Sequence, residues 1–128
     1  MPIEFNHTIV AARDQDEGAR FLTEVLGLEP PARFGPFTVV TLAHGTSLDY
    51  LTEPDPTPQH YAFLVSDEEY PQIVERLRAR NVATYADPQR QRVGENTRDG
   101  GHGAYFTSPE GHVLEILTRP YGSGSAAG

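Results

Sequence analysis

His7, His60 and Glu115 are the residues whose types and surroundings offer chemistry. Each histidine opens a short apolar run, HTIV and HYAFLV, and the glutamate sits inside GHVLEIL. Imidazole and carboxylate donors carried on strands, with coordination positions left over, suit Fe, Mn, Ni, Co or Zn rather than Ca or Mg. A lone histidine on an apolar strand is more often a satisfied core or edge residue. Here a carboxylate centred in the run Val113 to Leu117 adds weight, because burying it without a cation or strong hydrogen bonds is costly. Together the three fit a three-point metal site.

The elements that must position these residues occur twice. FNHTIVAA reads as a strand with Phe5, His7 and Ile9 on one face and Thr8 and Val10 on the other. Asp14 with Glu17 forms a capping box for a helix over Gln15 to Leu26, striped by Phe21, Leu22 and Val25 and closed by Gly27. Strands follow over 37–43 and 47–51, joined by a turn at His44-Gly45. After Pro54, Pro56 and Pro58 the order restarts with a strand at His60. Ser66 with Glu69 forms a second capping box, with Tyr70, Ile73, Val74 and Leu77 at helical spacing and Asn81 at the far end. Pro71 places the regular part of that helix near itself. GAYFTS and HVLEILT, joined by Pro109-Glu110-Gly111, complete the second unit.

The last hairpins superpose: GTSLDYL (Gly45 to Leu51) matches GHVLEIL (Gly111 to Leu117), which sets Asp49 opposite Glu115 as His7 falls opposite His60. The chain is therefore read as α+β, a tandem βαβββ duplication with modules at 3–53 and 59–119. A flexible tail is expected over 120–128, linker-like from Gly122 to Gly128. The second module is longer, and its excess between Val82 and Gly103 is polar and carries Arg90, Arg92 and Arg98. Such a connection is expected to be a flexible cover over the site, its arginines suiting an anionic ligand.

Composition excludes other classes. With 128 residues the chain has one modest core, and a formal net charge of -8 argues against nucleic acid. The absence of cysteine removes disulfides and thiolate chemistry. No run approaches a membrane span, so a cytoplasmic protein without membrane contact is expected. P-loop, dinucleotide fingerprint, HExxH and nucleophile-elbow motifs are all missing.

The order of elements, with NHTIV at the start and YFTSPEGHVLEIL at the end, resembles the vicinal oxygen chelate superfamily, from about Ile3 to Thr118. That group includes glyoxalase I, fosfomycin-resistance enzymes, bleomycin-binding proteins and extradiol dioxygenases. The resemblance implies eight strands in two curved half-barrels around a divalent metal held by His7, His60 and Glu115. Asp49 stands where glyoxalase-like members place an acidic ligand, and is read either as that ligand or as an acid orienting one. Tyr105 stands where dioxygenases carry a tyrosine assisting proton transfer, and is read either so or as a packing residue. His102 is read as a loop residue, and His44 and His112 as turn residues without chemistry. The resemblance implies a metal-dependent enzyme acting on a small oxygenated substrate, by isomerisation, epoxide opening or ring-cleaving dioxygenation. Ile9 departs from the threonine of fosfomycin enzymes, which disfavours that role. The alternative is a metal-free protein sequestering a drug or metabolite. A homodimer with shared sites is also implied, His7 from one chain serving His60 and Glu115 of the other.

Overall fold

A computed structural model describes residues 2–124 and divides into two compact units, Met1–Thr57 and Pro58–Gly128. In the first, β1 (His7–Ala12), α1 (Gln15–Leu26), β2 (Ala32–Phe34), β3 (Phe37–Thr41) and β4 (Ser47–Thr52) build a sheet of order β1-β4-β3-β2. β1 runs parallel to β4 and the other neighbours are antiparallel. This is the expected βαβββ unit.

The helix begins where the sequence places it, because Asp14 accepts the backbone N–H groups of Asp16 and Glu17. It ends where Gly27 takes a left-handed conformation at φ 75°, a backbone state cheap for glycine. Leu22 and Val25 are buried with Val10, Val40 and Leu48, whereas Phe21 is only half-buried. Burying this apolar stripe against the sheet is the main source of the unit's stability. Alternation along β1 then leaves His7 and Ile9 on the opposite face.

In the second unit, β5 (His60–Leu64), α2 (Glu69–Ala79), β6 (Gly103–Thr107) and β7 (Val113–Leu117) form a sheet of order β5-β7-β6. The fourth strand of the module is reduced to bridges, with Tyr85 paired to Tyr105. The described residues thus hold seven strands rather than eight. Ser66 and Glu69 make the reciprocal capping box: Glu69 N donates to Ser66 Oγ at 3.0 Å, and Ser66 N to Glu69 Oε1 at 2.9 Å. Pro71 falls in the first turn, where its missing N–H has no helical acceptor to lose. Tyr70, Ile73 and Leu77 are buried, as are Phe106, Leu114 and Ile116. Among the described residues no helix is long and apolar enough to cross a membrane.

Candidate functional site

The parallel ladder between β5 and β7 sets His60 opposite Val113 and Ala62 opposite Glu115. His60 and Glu115 therefore share one face, and His60 Nε2 lies 2.9 Å from Glu115 Oε1. The Glu115 side chain keeps 14% of its exposure and that of His60 46%, so the carboxylate is the more enclosed partner. Tyr105 stands directly opposite Glu115 across the antiparallel β6–β7 ladder. Its ring centroid is 5.8 Å from that of His60, and only 3% of the residue is exposed. Three strands thus contribute one side chain each to a single patch.

Burial raises the Tyr105 pKa above the ordinary phenol value; the Glu115 charge adds to this, and the Arg98 guanidinium works against it. Arg98 Nη1 donates to the Tyr105 hydroxyl at 2.5 Å, and its guanidinium stands 5.5 Å from the ring centroid. The phenol is therefore held protonated between a cation and a carboxylate. Such a group can donate a proton or a hydrogen bond to an oxyanion.

In the first unit, His7 falls opposite Ser47 and Ile9 opposite Asp49. These pairings repeat those of His60 and Glu115, so the equivalence expected from the hairpin alignment holds in register. Asn6 Oδ1 lies 2.6 Å from His7 Nδ1; with the proton on Nδ1, Nε2 keeps its lone pair. Asp49 accepts a hydrogen bond from Ser47 Oγ at 2.8 Å. Val39 takes the place of Tyr105, so the first unit lacks the phenol. Among the described residues no three of His, Asp and Glu form a group able to hold a metal. The structure brings together His60, Glu115 and Tyr105.

The segment between Val82 and Gly103, expected to be a flexible cover, is joined to β6 by backbone hydrogen bonds. Tyr85 N donates to Tyr105 O and Tyr105 N to Tyr85 O, both at 2.8 Å, and Asn96 pairs likewise with Gly103. Asp87 accepts backbone N–H groups of Gln91 and Arg92. Of the arginines, Arg90 donates to Thr107 Oγ1, Arg98 reaches Tyr105, and Arg92 is exposed. Within the expected tail, Gly122 and Gly124 are hydrogen-bonded to Asp99, while 125–128 lie outside the described residues. His112 is buried and its Nδ1 accepts from Gln59 N, pinning the start of β5 to the β6–β7 hairpin; it has a structural role. His44 is exposed in its turn at φ 63°.

His60, Glu115, Tyr105 and Arg98 line one cavity of about 630 Å³, within the range of small-molecule sites. Leu64, Leu117, Pro120 and Tyr121 add apolar wall, and His102 and Arg119 polar wall. The lining from 119 to 121 was not singled out from sequence, since its role depends on where the chain returns after β7. The donor chemistry of the patch, an imidazole nitrogen beside an enclosed carboxylate on neighbouring strands, fits a divalent transition ion.

The fold agrees with a direct comparison. The model of the Glyoxalase/Bleomycin resistance protein/Dioxygenase superfamily matches residues 4–116, and the chain belongs to that superfamily. Among solved structures it is similar to Oxidase ChaP-H1, with 52% identity over 94% of this chain and 99% of the other and a TM-score of 0.92. Oxidase ChaP-H2 is similar at 53% identity over 97% and 99%, also with a TM-score of 0.92. Glutathione transferase FosA of Serratia marcescens is 26% identical over 118 residues, 87% of this chain and 77% of that protein. These relatives are enzymes.

Proposed function

We propose that the chain is a divalent-metal-dependent oxidase acting on a small oxygenated molecule in the cavity of the second unit. The observation that carries the oxidase reading is the likeness to two oxidases over nearly the full length of each chain. The metal reading is supported by the 2.9 Å approach of His60 Nε2 to Glu115 Oε1, an arrangement of two donors on neighbouring strands. His60 and Glu115 would hold the ion, with His7 of a second copy as third donor and Asp49 near it. When bound, Fe, Mn, Ni, Co or Zn supplies Lewis acidity to two adjacent substrate oxygens, and a redox-active ion also a route for electrons.

The chain's own residues do the rest. Tyr105 keeps its proton at Oη beside Glu115 and presents it to a developing oxyanion. Arg98 fixes that hydroxyl and adds positive charge for an anionic substrate. Leu64 and Leu117 add apolar wall on which the substrate can pack. Oxidase chemistry takes electrons from the substrate and passes them to dioxygen from solution. A test is to load the protein anaerobically with Fe(II) or Mn(II), then follow dioxygen uptake across a panel of phenols, quinols and 2-hydroxyketones. Uptake with none of them, alongside turnover of a glutathione hemithioacetal, would replace the oxidase by an isomerase.

A further inference from the structure

The chain after β7 does not leave the second unit; it folds back along the loop that carries Arg98. Thr118 N donates to His102 O at 3.0 Å, and His102 N donates to Thr118 Oγ1 at 2.9 Å. Three residues earlier in that loop, the Asp99 carboxylate accepts from Gly122 N through Oδ2 and from Gly124 N through Oδ1, each at 3.0 Å. Asp99 makes this clasp from a left-handed backbone, φ 56°, a state that aspartate tolerates better than most residues. The approach is close: a Cβ at Gly124 would lie 2.5 Å from Asp99 Cα, and one at Gly101 would lie 2.7 Å from Arg119 Cγ. Ser123 N donates to Pro120 O, closing a turn that carries Tyr121.

Both ends of this arrangement meet the cavity. Pro120 and Tyr121 are part of its wall, and Tyr121 is 95% exposed. On the other side of the clasp, Arg98 adjoins Asp99 and holds the Tyr105 hydroxyl. An almost fully exposed aromatic ring at a cavity wall is a surface that a flat apolar ligand can cover.

We propose that residues 119–124 are a specificity-determining strap, that Asp99 is the positioning residue that latches it, and that Tyr121 is its contact with the ligand. The inference rests on the reading of this cavity as the substrate site. It assigns ligand choice to a segment with no part in holding the metal. Latching also ties the strap to Arg98, so the ligand wall and the group fixing Tyr105 are set by one carboxylate.

The test uses the full chain, with 2-naphthoate as a flat anionic probe in calorimetric titration and amide hydrogen exchange at Gly122 and Gly124. Asp99→Ala and Gly124→Ala both open the latch, one by removing the acceptor and one by steric conflict. In each, the remaining clasp amides exchange at least about tenfold faster, since local opening governs their protection. Tyr121→Ala leaves that exchange as in the parent but weakens the probe about fivefold, the scale of a lost ring contact, and Tyr121→Phe restores it. Unchanged exchange in both latch variants overturns the latch. Unchanged probe affinity in Tyr121→Ala, or no binding of the probe by the parent chain, overturns the ligand wall. Metal uptake is read on the same samples. Its failure with probe binding intact sinks the oxidase reading alone, and the reverse sinks the strap alone.

Discussion

Glu115 stands opposite Ala62 in the β5–β7 ladder, yet its carboxylate meets the imidazole of His60, two residues back along β5. Side chains of alternate residues share a face, so a two-residue offset keeps both on one side while their lengths bridge the gap. The spacing of the two donors is thereby set by backbone pairing.

The first prediction follows from that spacing. The protein binds one divalent ion per chain, and His60→Ala lowers the affinity at least about tenfold, a loss that even residues behind the ligands can cause. Elemental analysis of protein prepared without chelators or a histidine tag, followed by titration of the variant, checks it. Unaltered uptake in His60→Ala would remove His60 from the centre.

Tyr105→Phe keeps the ring beside His60 and removes only the hydroxyl held by Arg98. Loss of an acid that assists proton transfer costs about a hundredfold or more in kcat. The same variant is expected to take up metal as the parent does. Full turnover in Tyr105→Phe would reduce Tyr105 to a packing residue.

Much of this arrangement of elements was legible in the sequence, and for local reasons. His7 and His60 open their strands, Asp14 and Gly27 bound α1, and Gly45 and Gly111 take positive φ in matching hairpins. Each of these signals is carried by neighbouring residues. β2 escaped because Ala32–Phe34 is short and exposed throughout, leaving no alternation to read. The pairing of Tyr85 with Tyr105 and the clasp of Asp99 on the chain after β7 are long-range, and polar loop residues carry no periodic trace of their partners. His112 illustrates the same limit: it follows a turn, but its burial depends on Gln59 and Tyr61.

The third prediction concerns assembly. If His7 of one chain completes the His60 and Glu115 pair of another, the protein is a homodimer in which each site draws on both chains. His7→Ala and Glu115→Ala homodimers are each inactive. Mixing them by dissociation and reassociation returns activity, because one site of every heterodimer carries both lesions and the other none. A mixture as inactive as its parts would place all ligands within one chain.

A fourth prediction tests the second capping box by pH. The Ser66 backbone N–H, and secondarily its side chain, hold the Glu69 carboxyl below its ordinary value of 4.5. A carboxyl lowered in the folded state stabilises it fully above 4.5, and that contribution fades as pH falls through the lower folded value. Thermal melts of Glu69→Gln should therefore fall below the parent at neutral pH, and the gap should narrow at acid pH as the medium falls through the lowered folded value. Ser66→Ala should cost about 1 kcal/mol at neutral pH, as loss of a helix cap does. A gap between Glu69→Gln and the parent that is the same at both pH values would deny the carboxylate this role.

The clasp between Asp99 and the glycines after Pro120 has a consequence for how such a chain can diverge. Adding or deleting one residue between Pro109 and Gly111 would turn Glu115 inward and Leu114 or Ile116 outward, damaging donor set and core in a single step. The stretch from 119 to 124 lies outside every strand register, so changing its side chains leaves the pairing of β7 intact, while changing its length must still satisfy the Asp99 clasp. The donor set is thus tied to strand register, and the proposed ligand wall to the clasp alone. Substitution at the exposed Tyr121 can then alter that wall without disturbing either the donors or the latch.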